Sequence, residues 1–433
     1  MARILQWSVV SGQWAVGRGR WPVTDHWPLT TDHCSIVGMR IAVVGARLAG
    51  SYASLLLSQI GHEVFLFDGS TEKEKPCGGG VTSKALLRMP WFHENSVPHS
   101  EIRRMRMIAA DGYMADLPLK HPMHIFSRAK LDSSLREASV RAGARFIPER
   151  TARCLQHRGV WLLSTAKGEY EADFLIGADG ATSTVRACTI GRFAARDLSL
   201  AVGFYLPGAY HTDTVITVFQ QEGFRGYLWS FPRVDHSSVG ILRWLPETRS
   251  AELRRRVSGF IAEHYPEAGG EKRFYAARIP CLGRRSLIEQ RVCGTNWALL
   301  GDAAGFADAI TAEGIYFALR SAELLCDALR CSAPVSYESL WRQDFGAELE
   351  KAALWRDRFY AGHFLFRAFT RRAVQATRRS RTVQTLTDRL ICGHCTYNEL
   401  RMHLILKTPV ILVEAILHWL RSQFTDPVIA QKL

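Results

Sequence analysis

The chain has 433 residues, of which 47% are hydrophobic and 22% are charged, and its net charge is +14. This length suits two or three lobes, and the composition excludes a disordered chain or a disulfide-stabilised scaffold. Much of the positive charge lies near the C-terminus, but no zinc-ligand spacing or RNA-recognition motif accompanies it, so we expect no nucleic-acid partner. A solvated basic face and attraction to anionic lipid head groups both explain the charge.

The ten cysteines are scattered without the spacing of a disulfide framework, which favours reduced thiols and a cytoplasmic protein. Cys392 and Cys395 have thioredoxin-type spacing, but no βαβ pattern surrounds them, which favours two half-buried thiols at a helix boundary over a redox pair. Residues 1–38 contain four tryptophans and lack the apolar stretch of a secretion signal. We predict that they form a poorly ordered extension before a natural start at Met39.

The first convincing elements are a strand, a glycine-rich turn, a helix and a second strand. Arg40–Val44 has a buried-strand pattern and leads into the turn Gly45–Gly50, and the second strand, Glu63–Phe67, ends in Asp68. This order predicts a dinucleotide-binding βαβ unit in which Asp68 accepts a hydrogen bond from a ribose hydroxyl. Arg47 occupies the position of the middle glycine, which leaves two explanations, a variant of the motif and a degenerate site.

Two later segments have the same strand-and-turn character. The strand at Phe174–Ile176 leads into Gly177–Arg186, GADGATSTVR, whose glycines permit close backbone approach. The strand ending at Leu300 leads into GDAAG, in which Asp302 can accept hydrogen bonds from a ribityl hydroxyl. A helix is predicted to begin at about Glu313–Gly314, with its N-terminus near Ala312, and its positive N-terminal end would face an electron-rich ring edge.

These three motifs, in this order, resemble the FAD motifs of flavoproteins related to the aromatic hydroxylases and the geranylgeranyl reductases. Two further motifs narrow the resemblance to the geranylgeranyl reductase family. Lys75–Gly80, KPCGGG, resembles a loop that lies near the flavin ring in that family, and Tyr227–Pro232, YLWSFP, resembles a strand that lines its prenyl cavity. Alternation places the three aromatic residues of YLWSFP on one face of the strand, where core packing is the other explanation. The last glycine of the family's closing GxG is here Leu242, which leaves the accepted chain length open.

The resemblance covers about residues 39–330 and implies an α/β fold. Its parts are a Rossmann-type FAD-binding domain of the glutathione reductase and aromatic hydroxylase kind, an antiparallel β-sheet substrate domain and a C-terminal helical region. Alternating and aromatic-rich runs between residues 200 and 244 also predict the antiparallel sheet. The predicted division is a poorly ordered extension at 1–38, a discontinuous FAD-binding domain at 39–84, 124–192 and 291–330, a substrate domain at 85–123 and 193–290, and a basic helical region at 331–433.

Within the helical region, Leu404–Leu420 is the most apolar segment, but Lys407, Pro409 and Glu414 interrupt it, so we do not expect it to span a membrane. An amphipathic helix that lies on a membrane or packs on the body of the protein fits better. We therefore expect a cytoplasmic protein with peripheral contact at the inner membrane face through its basic C-terminal helices.

The resemblance implies FAD as the cofactor and no metal. The residues implied to contact FAD are Gly45, Ala49, Gly50, Asp68, Cys77, Gly78, Gly80, Arg128, Ala152, Asp179, Asp302, Gly305, Gly314 and Ile315. The residues implied to act in catalysis are Cys77, Tyr227 and Trp229. Two roles stay open: Arg128 is either a phosphate contact or part of a surface salt bridge, and Cys77 is either a proton donor or an incidental thiol.

The implied function is an FAD-dependent oxidoreductase that reduces isolated C=C bonds of a prenyl lipid or quinone. Hydride would come from flavin N5 and the proton from a weak acid on the far side of the substrate. A flavin-dependent monooxygenase or halogenase is the alternative, and a flavin- or lipid-binding protein without turnover is a third hypothesis. The electron donor is either NAD(P)H or a ferredoxin, so the expected partners are a hydrophobic isoprenoid or lipid substrate and an electron-transfer partner.

Overall fold

The computed structural model describes residues 38–70, 74–364 and 366–425. The strands are β1 (Arg40–Val44), β2 (Glu63–Phe67), β3 (Gly80–Val81), β4 (His99–Ile108), β5 (Met114–Phe126), β6 (Arg145–Ile147), β7 (Arg153–His157), β8 (Val160–Ser164), β9 (Glu169–Ala172), β10 (Phe174–Gly177), β11 (Leu198–Pro207), β12 (Thr214–Phe219), β13 (Tyr227–Pro232), β14 (His236–Trp244), β15 (Arg273–Pro280), β16 (Trp297–Leu299), β17 (His363–Phe364) and β18 (Arg367–Ala368). The α-helices are α1 (Leu48–Gln59), α2 (Ser83–Arg88), α3 (Pro90–Glu94), α4 (Arg128–Arg141), α5 (Thr184–Thr189), α6 (Ser250–His264), α7 (Arg284–Glu289), α8 (Gly301–Ala304), α9 (Ile315–Arg330), α10 (Tyr337–Trp341), α11 (Ala347–Ala361), α12 (Phe369–Arg379), α13 (Arg381–Ile391), α14 (Tyr397–Leu406) and α15 (Thr408–Thr425). The prediction for residues 1–38 lies outside the described residues except at Gly38.

Five parallel strands form the first sheet, in the order β16–β10–β1–β2–β6. Its central strands are apolar because helices cover the sheet, and Ile41, Val43 and Leu66 have no exposed surface. α1 packs against both α4 and α9. The predicted strand–turn–helix–strand unit is confirmed. Because β1, β10 and β16 are adjacent and parallel, their carboxyl ends bring the three glycine-rich turns to one edge of the sheet.

Eight strands form the second sheet, in the order β15–β11–β14–β13–β12–β4–β5–β3. The predicted α/β fold class is confirmed, but this sheet differs from the expected antiparallel one at a single pair, since β4 and β12 run parallel. These two strands come from distant segments, so no hairpin forces them to be antiparallel. α6 packs on β11 and β14 and buries Leu253, Val257 and Phe260 against that face. The lining of the cavity described below includes residues of this sheet.

A small antiparallel sheet, β7–β8–β9, is inserted between β6 and β10. The chain from α11 to α15 is helical apart from the short β17–β18 pair, as the sequence predicts for the C-terminal region. The apolar segment Leu404–Leu420 is divided at Lys407, and Pro409 lies in the first turn of α15, where its missing N–H costs no helical hydrogen bond. Within the described ranges no helix is long and apolar enough to cross a bilayer. The predicted domain boundaries stay predictions.

Candidate active site

A cavity of about 1920 Å³ runs between the two sheets and reaches the C-terminal helices. Its walls come from the turn before α1, the Lys75–Gly80 loop, the β13 strand, the start of α9 and the helices α11 to α15. The carboxyl edge of the parallel sheet supplies one end of this cavity. The geometry therefore joins all five sequence motifs in one space.

The end of the cavity at the carboxyl edge of the parallel sheet suits a dinucleotide. Gly45 has φ +104°, and a Cβ there would lie 2.4 Å from the carbonyl oxygen of Ala178, so only glycine fits where the turns after β1 and β10 approach each other. Asp68 stands at the end of β2, where its carboxylate accepts hydrogen bonds from the amides of Ala46 at 3.0 Å and Ser70 at 2.8 Å. A carboxylate has about four acceptor sites, so Asp68 retains capacity for a ribose hydroxyl.

The side chain of Arg47, at the position of the missing glycine, forms an ion pair. Its Nη1 donates to Asp132 at 2.9 Å, and Asp132 also accepts from Nη2 of Arg128 at 2.9 Å. Arg128 is only 2% exposed. Burial alone would lower the pKa of Arg128, but the charge of Asp132 raises the pKa above its ordinary value. The salt bridge proposed for Arg128 is therefore present and buried rather than on the surface, although Arg128 also borders the cavity.

Three of the residues implied to contact FAD are described but do not line the cavity: Gly50, Ala152 and Gly305. A Cβ at Gly50 would lie 1.9 Å from the carbonyl oxygen of Gly45, so this glycine permits helix–turn packing. Gly305 has φ +83° and ends α8 against Leu282. Ala152 is exposed, while its neighbour Thr151 is on the wall. The other implied FAD contacts border the cavity.

The cysteine loop is fixed to the body of the protein through Glu74. This carboxylate accepts hydrogen bonds from the amides of Arg128 at 2.6 Å and Ala129 at 3.1 Å, at the N-terminus of α4. It also forms an ion pair with Arg233, whose side chain is fully buried and whose Nη2 donates to the carbonyl oxygen of Cys77 at 2.6 Å. Burial would raise the pKa of Glu74, but Arg233 and these hydrogen bonds hold it below its ordinary value.

The glycines of this loop lie directly on the aromatic strand. A Cβ at Gly78 would lie 2.3 Å from Cδ2 of Phe231, so the backbone of the loop contacts the ring. Tyr227, Trp229 and Phe231 line the cavity, whereas the intervening Leu228 is buried on the other face. The predicted alternation of β13 is thus confirmed. Two motifs that are about 150 residues apart in sequence form one wall.

The start of α9 also lines the cavity, next to the wall formed by the cysteine loop and the aromatic strand. Gly314 is its N-cap and Ile315 its first residue, and both border the cavity. Asp302 lies beside them and forms an ion pair with Lys75 at 3.0 Å. The hydroxyl of Tyr227 donates to the carbonyl oxygen of Thr311 at 2.5 Å. The segment from α8 to the start of α9 is thereby bonded to both the cysteine loop and the aromatic strand.

Four ionisable residues border the same cavity: Lys84, Asp308, Glu313 and Glu348. Tyr397 joins two of them, since its hydroxyl donates to Asp308 at 3.0 Å and its amide donates to Glu348 at 2.8 Å. Burial raises the pKa of Glu313 and of Glu348 to about 7 each and also raises the pKa of Asp308. Burial lowers the pKa of Lys84. Glu313 and Glu348 can therefore exchange protons near neutral pH, as groups with shifted pKa values in active sites often do.

Sequence reasoning assigned no role to these polar residues or to the Glu74–Arg233 pair. A signal existed for the pair, because Glu74 directly precedes the KPCGGG motif and Arg233 directly follows YLWSFP. Lys84, Asp308 and Glu348 come from three distant segments, so only the fold brings them together. Cys392 and Cys395, at the C-terminal end of α13, are both buried free thiols.

The residues present fit FAD. The first turn of α1, residues 48–51, contains no acid and borders the cavity, so the positive end of the helix meets no carboxylate of that turn. Asp68 and Asp302 offer carboxylate acceptors on the same wall. The fit supports FAD as the cofactor.

No protein-family model matches the chain. The menaquinone reductase of Mycobacterium tuberculosis is 29% identical over 313 residues, which span 65% of this chain and 74% of that protein. The chloroplast geranylgeranyl diphosphate reductase of Arabidopsis thaliana is 28% identical over 317 residues, which span 65% of this chain and 63% of that protein. The chain is similar in sequence to these menaquinone and geranylgeranyl diphosphate reductases. The relatives confirm the predicted oxidoreductase class.

Solved structures agree with the fold. A geranylgeranyl bacteriochlorophyll reductase-like protein from Thermoplasma acidophilum is similar with a TM-score of 0.69, covering 85% of this chain and 98% of that chain at 18% identity. A halogenase solved with phloroglucinol and FAD has a TM-score of 0.60, covering 84% of this chain and 85% of that chain at 16% identity. At these identities the two structures establish the shared fold.

Proposed function

We propose that this chain is an FAD-dependent reductase that saturates isolated C=C bonds in the prenyl chain of a lipid or quinone. One observation carries the proposal: a continuous cavity of about 1920 Å³ joins the predicted FAD contacts to an aromatic strand and to apolar residues of the C-terminal helices. Ligand cavities commonly measure roughly 300–1,000 Å³, so this one has room for a dinucleotide and a long apolar substrate together. The names of the two curated relatives agree with this substrate class.

Bound FAD would supply the hydride for one carbon of the double bond. In this proposal the turn at Gly45 and the N-terminus of α1 receive the pyrophosphate, and Asp68 accepts a hydrogen bond from the ribose. Asp302 accepts one from the ribityl chain. Gly314 and Ile315 would hold the ring, and the positive end of α9 would stabilise negative charge on it.

The aromatic wall orients the substrate in this proposal. Tyr227 and Trp229 present ring faces to an apolar chain, and the Tyr227 hydroxyl is engaged by a backbone carbonyl rather than aimed at the substrate. Leu242 borders the cavity and belongs to the same buried cluster as Trp229, and in this proposal it limits the length of that end of the cavity. A fixed, water-excluding wall holds the double bond in the orientation that hydride transfer requires.

The second carbon needs a proton, and the candidate donors in this proposal are Cys77 of the cysteine loop and Glu313, which directly precedes Gly314. Cys77 is half-buried, and its sulfur accepts a hydrogen bond from the amide of Gly79 at 3.3 Å. Glu313 has a pKa raised by burial to about 7, so much of it is protonated at neutral pH. Cys77→Ala and Glu313→Gln separate the two, because the true donor's removal slows product formation while FAD stays bound.

The electron donor in this proposal is NAD(P)H or a ferredoxin. Anaerobic mixing of the FAD-loaded protein with NADH, NADPH or a reduced ferredoxin distinguishes them, since the flavin absorbance bleaches only with a competent donor. The cytoplasmic location and the membrane contact predicted from the sequence remain part of the proposal.

The deciding experiment incubates the FAD-loaded protein and a reductant with prenylated quinones and prenyl lipids under anaerobic conditions. Mass spectrometry is expected to show products heavier by one hydrogen molecule for each double bond reduced. A product that gains oxygen or halogen when air or halide is present, with no saturated product, would favour the monooxygenase or halogenase alternative. A colourless protein that takes up no FAD would instead support the binding-protein hypothesis.

A further inference from the structure

The helices α14 and α15 carry a concentration of exposed apolar side chains. Of the 21 large apolar residues that are exposed in the described part of the chain, ten lie between residues 402 and 420. They are Met402, Ile405, Leu406, Val410, Leu412, Val413, Ile416, Leu417, Trp419 and Leu420. Scattered exposed apolar residues are normal, but a concentration of this kind marks an interaction surface. We call these ten residues the apolar face.

The apolar face is continuous with the interior of the cavity. Leu400, Leu404 and Ile411 line the cavity. Ile405 and Leu412 line it as well, and they are also 55% and 57% exposed. A residue that borders the cavity and is half exposed lies at an opening of the cavity. The cavity therefore opens between α14 and α15, through an apolar rim.

The surroundings of this opening are cationic. Residues 367–425 contain ten lysines and arginines and three carboxylates, which accounts for half of the net charge of +14. The three carboxylates are engaged: Asp388 is buried, Glu399 closes the capping box of α14, and Glu414 accepts hydrogen bonds from Ser380 and Thr382. Positive charge thus dominates the helical segment that carries the apolar face, although Arg371 of this segment is paired with Asp111.

We propose that the apolar face docks on an anionic lipid bilayer and that the prenyl substrate passes from the bilayer into the cavity between α14 and α15. The proposal rests on the proposed function for the identity of the substrate. An interfacial helix combines apolar residues, a tryptophan and flanking cations, as α15 does with Trp419, Arg421 and the preceding Lys407. Its 18 residues would extend about 27 Å along the membrane surface.

A lipid surface explains the charge better than a second copy of the chain does. A two-fold dimer through this face would bring the same positive region of both copies together, and like charges repel. Anionic head groups attract each lysine and arginine near the surface instead. The position of the opening has a further consequence: an apolar substrate would reach the cavity without crossing water.

The test is flotation of the FAD-loaded full chain with vesicles of phosphatidylcholine, with and without phosphatidylglycerol. The variant Leu406→Asp/Val413→Asp changes two residues that do not line the cavity. Leu87→Asp/Val335→Asp is the matched control, because these residues are similarly exposed, at 64% and 53% against 70% and 55%. The FAD content of each variant, read from its visible absorbance, reports whether the fold is intact.

The unchanged protein and the control are expected to float with the phosphatidylglycerol vesicles, and less so at high salt. The Leu406→Asp/Val413→Asp variant is expected to partition about a hundredfold less, since each lost apolar side chain contributes roughly tenfold. Equal flotation of this variant and the unchanged protein would overturn the proposal. So would a dimer in solution that fails to float and becomes monomeric in the variant.

Failure of the docking proposal is distinguishable from failure of the proposed function. Flotation needs no turnover, so a protein that floats as expected but reduces no prenyl chain refutes the reductase and leaves the docking surface standing. With substrate dissolved in detergent, the variant is expected to keep the activity of the unchanged protein. With substrate in vesicles, the variant is expected to lose activity in proportion to its lost binding.

Discussion

The substitution Gly45→Ala tests the close approach of the turns after β1 and β10 at the predicted FAD end of the cavity. Gly45 has φ +104°, a conformation that costs an L-residue about 1–2 kcal/mol. The added Cβ would also lie 2.4 Å from the carbonyl oxygen of Ala178. Neither strand can move away easily, because the amide of Gly45 bonds to Phe67 at 2.7 Å and the amide of Ala178 bonds to Val44 at 2.7 Å. Overpacking of this kind costs about 1–3 kcal/mol, so the total is about 2–5 kcal/mol.

Gly61→Ala supplies the matched control. Gly61 has φ +91°, but among the described residues no atom lies within 4 Å of an added Cβ. Its substitution should cost only the conformational part, about 1–2 kcal/mol. Urea denaturation with unchanged slope measures both free energies of unfolding, and flavin absorbance measures retained FAD. Equal losses of stability in the two variants, with FAD fully retained in Gly45→Ala, would refute the steric reasoning.

Three further outcomes are expected. Burial raises the pKa of Glu313 from 4.5 to about 7, so the stability that this group contributes is complete below pH 4.5 and is lost as the pH rises through about 7. The variant Glu313→Gln should therefore lose less stability than the unchanged protein over this pH range. An equal loss in both proteins, measured by urea denaturation at each pH, would contradict this. Arg233→Met leaves the buried Glu74 carboxylate without its ion pair and should lower the free energy of unfolding by about 3–5 kcal/mol. Adding Glu74→Gln should restore most of this loss. A double variant as unstable as Arg233→Met alone would show that the loss has another origin. Leu242→Gly should let the FAD-loaded protein reduce longer prenyl chains and should lower its stability by about 2–5 kcal/mol. If mass spectrometry shows the same range of chain lengths for the variant and the unchanged protein, Leu242 does not limit the chain length.

Local sequence patterns predicted the elements of this fold because their signals are short-range. The apolar run before Gly45, the alternation in Tyr227–Pro232 and the turn before Gly314 each follow from neighbouring residues, and β1, β13 and α9 are where these patterns indicate. The order of the motifs also predicted the α/β fold class. The parallel pairing of β4 with β12 was missed, since strand direction between distant segments depends on the path of the whole chain.

By itself, the sequence determined a Rossmann-type flavoprotein fold, a glycine-rich cysteine loop and an aromatic strand. Only the tertiary structure decided that the loop lies on Phe231, that Glu74 and Arg233 fix it there, and that Gly50, Ala152 and Gly305 lie off the cavity wall. It also decided that the cavity opens between α14 and α15. The physical reason is that burial, pKa shifts and cavities arise from residues distant in sequence, whereas periodicity and turns report only on neighbours.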